Sequence, residues 1–170
     1  MRTIFISVFI FLLLASAAYF GYYKGETPVA FQLVDPEQAP HTLYLSVMNG
    51  YRQMLQTKAL LPDYVGNHLN CSNCHFGGGN NTGGTGNGIP LAGVAAQYPR
   101  YNPRTNKVET LEARINDCFL NSMNGKALPM ESEEMVAFVS YLHWISSGFP
   151  IYAPAHWLGV LPLKTMYKGE

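Results

Sequence analysis

Two cysteines three positions apart, with a histidine directly after the second, constrain this chain more than any other feature: Cys71-Ser72-Asn73-Cys74-His75. C-x-x-C-H is the attachment sequence of a c-type haem. At this spacing two thiols reach two vinyl groups on one porphyrin edge. The next residue then places an imidazole under the iron as proximal ligand. Three blander readings compete. A structural Cys71–Cys74 disulfide suits an exported protein. A redox-active C-x-x-C expects a βαβ setting that this sequence does not offer. Zinc wants four good ligands. Export and a helical pattern favour one covalently attached haem c, bound by Cys71, Cys74 and His75.

Export is read from the start of the chain. Arg2 precedes an apolar run over residues 4–23, and Lys24 follows it. The small-x-small triplet at 15–17 has the form a signal peptidase cuts, yet about 20 apolar residues also suffice to span a bilayer. Aromatic Tyr19, Phe20, Tyr22 and Tyr23 at the far end favour an anchor. Residues 1–24 are thus a signal peptide or membrane anchor, and the remainder is expected in the periplasm, tethered or secreted. Residues 25–40 are polar, carry prolines and show no period, as a tether does. Residues 41–150 form the haem domain, and 151–170 an aromatic and proline-rich tail. The 170-residue chain is 48% apolar, 13% charged and formally neutral, which argues against disorder and against nucleic acid as a partner.

Within the domain, Leu43, Val47, Met48, Tyr51, Met54 and Leu55 recur at helical spacing. The stretch after His75 is dominated by glycine and asparagine and reads as a loop; no strand leads into it and no lysine ends it, so it is no phosphate cradle. "QYPRYNPRTNK" reads as a second loop. A helix follows, with Thr110 as N-cap, Glu112 in its first turn and Asn124-Gly125 as its stop. A last helix starts at Ser132, with Glu133 and Glu134 in its first turn. It carries Met135, Phe138, Val139, Leu142 and Ile145 as an apolar stripe, and Gly148 and Pro150 end it. No stretch reads as a strand, and the expected fold class is all-α. The order of elements resembles the class I cytochromes c, whose first and last helices cross beside the haem. That likeness implies a close contact of Gly50 and Tyr51 with Tyr141 or Phe138.

The iron needs a second ligand opposite His75. Met123 and Met130 are the usual type of residue for it. Cys118, with no intrachain partner once Cys71 and Cys74 hold haem, is an equal candidate, unless it is simply a small buried residue or forms an intermolecular disulfide. Arg114 precedes it by one helical turn and favours the thiolate. His41, His68, His143 and His156 are further candidates that read more readily as surface residues.

"LPDYVGNHLNCSNCH", "YPRYNPRTNKVETLEARINDCF" and "SMNGKALPMESEEMVAFVSYLHWIS" resemble the first haem domain of the thiosulfate dehydrogenases, over about residues 50–148. The related sulfur-oxidising cytochromes also use a cysteine-ligated haem. The resemblance implies that Cys118 is the distal ligand at a site where two thiosulfates become tetrathionate, and that Arg104 and Arg114 bind substrate. Arg100 and Lys107 would add positive charge. Those enzymes usually carry a second C-x-x-C-H domain; three cysteines leave no room for one in this sequence. A partner cytochrome is therefore expected to take the electrons, and whether the chain is itself an enzyme stays open. The competing expectation is a plain His/Met electron carrier, or the haem subunit of a respiratory complex. A third reading is a docking subunit whose tail around Trp157 packs on a partner.

Overall fold

The computed structural model describes residues 15–16, 32–83 and 86–151. Apart from Ala15, Ser16 and Ile151, the expected export segment and tail, with His156 and Trp157, lie outside the described residues. Among the described residues no helix is long and apolar enough to cross a membrane.

Helix α1, His41–Leu55, follows the expected apolar spacing and buries Val47, Gly50 and Met54. A one-turn helix, α2, Thr57–Leu60, continues it. Helix α3, Leu111–Asp117, is capped by Thr110, whose Oγ1 accepts from the Ala113 N–H at 3.2 Å. Helix α4, Glu133–Trp144, is capped by Ser132, which accepts from the Met135 N–H. Both caps are the residues the sequence points to.

α1 and α4 make the main contact of the fold. Gly50 sits where they cross: a Cβ there would collide with the Ala137 carbonyl oxygen and with Tyr141 Cβ. The missing side chain lets two backbones approach. Tyr51 and Tyr141 lie beside this point with ring centroids 5.5 Å apart. Phe138 turns away to meet Phe119 edge-on at 5.8 Å. The core under the crossing holds Val47, Met54, Phe119, Leu128, Met135, Phe138, Tyr141, Leu142 and Ile145.

Two features depart from the expected pattern. Part of the expected second loop is an antiparallel hairpin, β1 (Arg100–Asn102) with β2 (Lys107–Glu109). Its register sets Arg100 against Glu109, Tyr101 against Val108 and Asn102 against Lys107. All-α therefore becomes mostly helical. Three-residue strands are too short to display a period of two, and the prolines around them mask the signal. The expected helix to Asn124 also changes character. Residues Cys118–Ser122 form a π turn, closed by the Met123 N–H on the Cys118 carbonyl at 3.0 Å. Asn124 then turns left-handed (φ 48°) and stops the helix where expected.

The last residues of the stretch read as a tether lie against the domain. Pro36 and Ala39 are buried, and Trp144 Nε1 donates to the Asp35 carbonyl at 2.9 Å.

A haem cleft with a thiol and three arginines

Thr57 sets the position of the cysteine pair. Its buried hydroxyl donates to the Gln53 carbonyl at 2.7 Å and accepts from the Cys71 N–H at 2.9 Å. The pair brackets a 3-10 turn, Cys71–Asn73, closed by the Cys74 N–H on the Cys71 carbonyl at 3.2 Å, and the His75 N–H reaches the same carbonyl at 2.9 Å. The glycine-rich loop then brings the chain back. The Ile89 N–H donates to the Cys74 carbonyl, and the Ile89 carbonyl accepts from His75 Nδ1, each at 2.9 Å. Gly88 is needed for this return: its φ is +69°, and a Cβ there would stand 2.6 Å from the Cys74 oxygen. With Nδ1–H committed to a carbonyl, Nε2 carries the lone pair that binds metal. Burial lowers the His75 pKa, with the Ile89 hydrogen bond opposing, which favours the neutral ring that a metal ligand requires.

No disulfide joins any two of the three cysteines. Burial pushes the Cys71 thiol up to about 11, with the Thr57 hydrogen bond opposing. A redox-active C-x-x-C needs a thiolate of lowered pKa; Cys71 is the opposite. No group of three or more His, Cys, Asp or Glu placed to hold a metal ion occurs among the described residues, so a zinc site finds no set of ligands there.

The pair and His75 open onto a cleft of about 560 Å³. Its apolar walls include Met54, Leu91, Val94, Phe138 and Leu142. Two thiols and an imidazole at one edge, apolar walls, and a volume in the range of small-molecule sites suit a covalently attached haem. Cys118 and Met123 line the same cleft, Met123 from the buried core. Met130 does not line it; the side chain is half exposed, its sulfur 3.7 Å from Asn116 Nδ2. His41, His68 and His143 are exposed and away from the cleft.

Arg104 and Arg114 line the cleft wall, as does Arg100, while Lys107 points elsewhere. Arg114 is ion-paired to Asp117, which also accepts from Asn121 Nδ2 at 2.6 Å. Opposing influences act on the Cys118 thiol. Burial raises the Cys118 pKa most, and Asp117 adds to that; Arg114 acts the expected way but is outweighed. Sequence reading missed Glu109, Tyr98 and Asp117 in the cleft. The one signal for Glu109 in the sequence is a charged residue directly before the helix cap Thr110.

The SoxA/TsdA cytochrome c domain family matches residues 63–151, just over half of the chain. The chain belongs to this family. It is therefore a cytochrome c domain carrying covalently bound haem c. Thiosulfate dehydrogenase of Allochromatium vinosum is 40% identical to this SoxA/TsdA-type cytochrome over 126 residues, 73% of this chain and 47% of that protein. Thiosulfate dehydrogenase of Thiomonas intermedia is 43% identical over 98 residues, 58% of this chain and 30% of that protein. A solved structure titled thiosulfate dehydrogenase (TsdBA), from Marichromatium purpuratum, superposes with a TM-score of 0.64 at 26% identity. That match covers 71% of this chain and 26% of the other. This chain spans less than half the length of each of these relatives.

Proposed function

We propose that this SoxA/TsdA cytochrome is a periplasmic monohaem protein with His75 and Cys118 as haem ligands, working between thiosulfate and tetrathionate with a partner cytochrome. One observation carries the reading: Cys118 lines the same cleft as Cys71, Cys74 and His75, with Arg104 and Arg114 on its wall. The names of its relatives supply the substrate class.

Arg114, already tied to Asp117, and Arg104, on the hairpin turn, hold the sulfonate end of thiosulfate by charge-assisted hydrogen bonds. That leaves the outer sulfur facing Cys118. When the Cys118 thiolate bonds to it, a Cys118–S–SO3 adduct forms and two electrons are released. A second thiosulfate attacks the adduct sulfur and expels the Cys118 thiolate, so one tetrathionate forms from two thiosulfates. Haem, when bound, accepts electrons singly, so the second must pass to another redox centre. The same ledger read backwards is tetrathionate reduction.

Steady-state thiosulfate oxidation with ferricyanide as acceptor tests the scheme. Cys118→Ala should abolish turnover. Arg104→Ala and Arg114→Ala should each lower kcat/KM about tenfold or more, with haem content unchanged, as loss of one charge-assisted contact worth about 1.5–3 kcal/mol requires. Unaltered turnover in Cys118→Ala would end the proposal. The position of Met123 in the cleft supports the second reading, a His/Met electron carrier or haem subunit of a larger complex; in that case Met123 ligates the iron and thiosulfate is not turned over.

A further inference from the structure

Three guanidiniums line the cleft, and the thiosulfate scheme uses two. Arg100 is the third, and two neighbours hold it. Its guanidinium carbon stands 4.8 Å over the Tyr98 ring, and Nε lies 3.9 Å from Glu109 Oε2. The hairpin register places these two residues directly opposite each other. Glu109 is mostly buried, and its Oε2 accepts no hydrogen bond. A buried carboxylate oxygen without a donor is costly. The counter-charge of Arg100 beside it offsets part of that cost, and the Tyr98 ring and the Glu109 carboxylate together restrict where the guanidinium can lie. Arg100 itself remains partly exposed to the cleft.

In the scheme a thiosulfate dianion must approach an adduct whose sulfonate is still an anion, and their mutual repulsion scales with the product of the charges. Arg114 is already committed to Asp117 beside Cys118. Three guanidiniums, Arg100, Arg104 and Arg114, face two carboxylates, Glu109 and Asp117, on the cleft wall, so a second anion competes with the first for the same few cations. We propose that Arg100, held by Tyr98 and Glu109, is the anchor for the sulfonate of the second thiosulfate, and so for the far end of bound tetrathionate. Tyr98 and Glu109 are positioning residues that act through it. This rests on the thiosulfate reading above.

The test uses the oxidised holoprotein, with tetrathionate binding by calorimetry beside thiosulfate turnover. Arg100→Gln should weaken tetrathionate binding and raise KM for thiosulfate, each about tenfold or more, with haem content and reduction potential unchanged. Arg100→Lys should recover part of the loss, because charge returns without the planar fork. Glu109→Gln should raise KM in the same direction and leave the potential in place. Lys107→Gln removes a charge from the same hairpin outside the cleft and should change neither value. Three results overturn the inference. Arg100→Gln with binding and KM within twofold of wild type removes it. So does a shifted potential or lost haem with KM unchanged, which would assign Arg100 to the haem carboxylates. Equal losses in Lys107→Gln would reduce the effect to general charge. A wild type that neither oxidises thiosulfate nor binds tetrathionate fails the underlying reading, and the inference goes with it; normal wild-type activity beside an indifferent Arg100→Gln fails the inference alone.

Discussion

Asn116 shows how single side chains fix the cleft. It is buried one turn into α3, and it both donates to the Leu128 carbonyl at 2.9 Å and accepts from the Leu128 N–H at 2.8 Å. Two backbone groups of the loop before α4 therefore depend on one amide. Asn116→Ala should cost about 2–3 kcal/mol, since it removes two bonds and strands their buried partners; thermal unfolding of the holoprotein will read this as a lower Tm with the ferric spectrum kept. Asn116→Leu should be no better, because the unsatisfied backbone groups remain. The C-x-x-C-H motif and the caps Thr110 and Ser132 were legible in the sequence, because each is a local pattern of two to five residues. Glu109, Tyr98 and Asn116 were not. Their roles come from partners that lie across a ladder, over a ring or beyond a loop.

At the scale of elements, the α1–α4 crossing and the hairpin do different work. The crossing is tight at Gly50, and Gly50→Ala should push a methyl into the Ala137 carbonyl. Overpacking of this kind typically costs about 1–3 kcal/mol. The expected result is a lower Tm and reduced haem incorporation, measured as haem per protein after purification. Val47→Ala, in the same helix but leaving a cavity rather than a clash, should also lower the Tm while keeping haem incorporation. The helices were readable because eleven or more residues carry a stripe. The hairpin was not, and neither was the π turn, whose extra residue follows Cys118 and leaves the hydrophobic spacing nearly intact. π turns recur at functional sites, and here one begins at the thiol that opens onto the cleft.

At the scale of the whole molecule, the proposal of one haem rests on the single C-x-x-C-H motif in this sequence. Intact mass after expression with the haem-attachment machinery should show a single haem added; a mass without haem, or with Cys71 and Cys74 joined, would contradict the assignment. The proposed Cys118 ligation has an electronic consequence. A charged sulfur ligand stabilises ferric iron, so the potential should be low, and Cys118→Ser should raise it if Met123 takes the vacant position. The family assignment accounts for the domain and its cofactor. Direction of turnover and identity of the partner belong to the proposal, because the relatives are more than twice as long as the part they share with this chain.

The distal ligand is the point on which the account turns, and low-temperature electron paramagnetic resonance of the oxidised holoprotein reads it directly. His75/Cys118 ligation predicts the narrow g-spread of low-spin thiolate haem, unchanged by Met123→Leu and Met130→Leu and lost in Cys118→Ser. A wild-type spectrum of the methionine type, kept in Cys118→Ser and destroyed by Met123→Leu, would contradict it and make the chain a His/Met carrier.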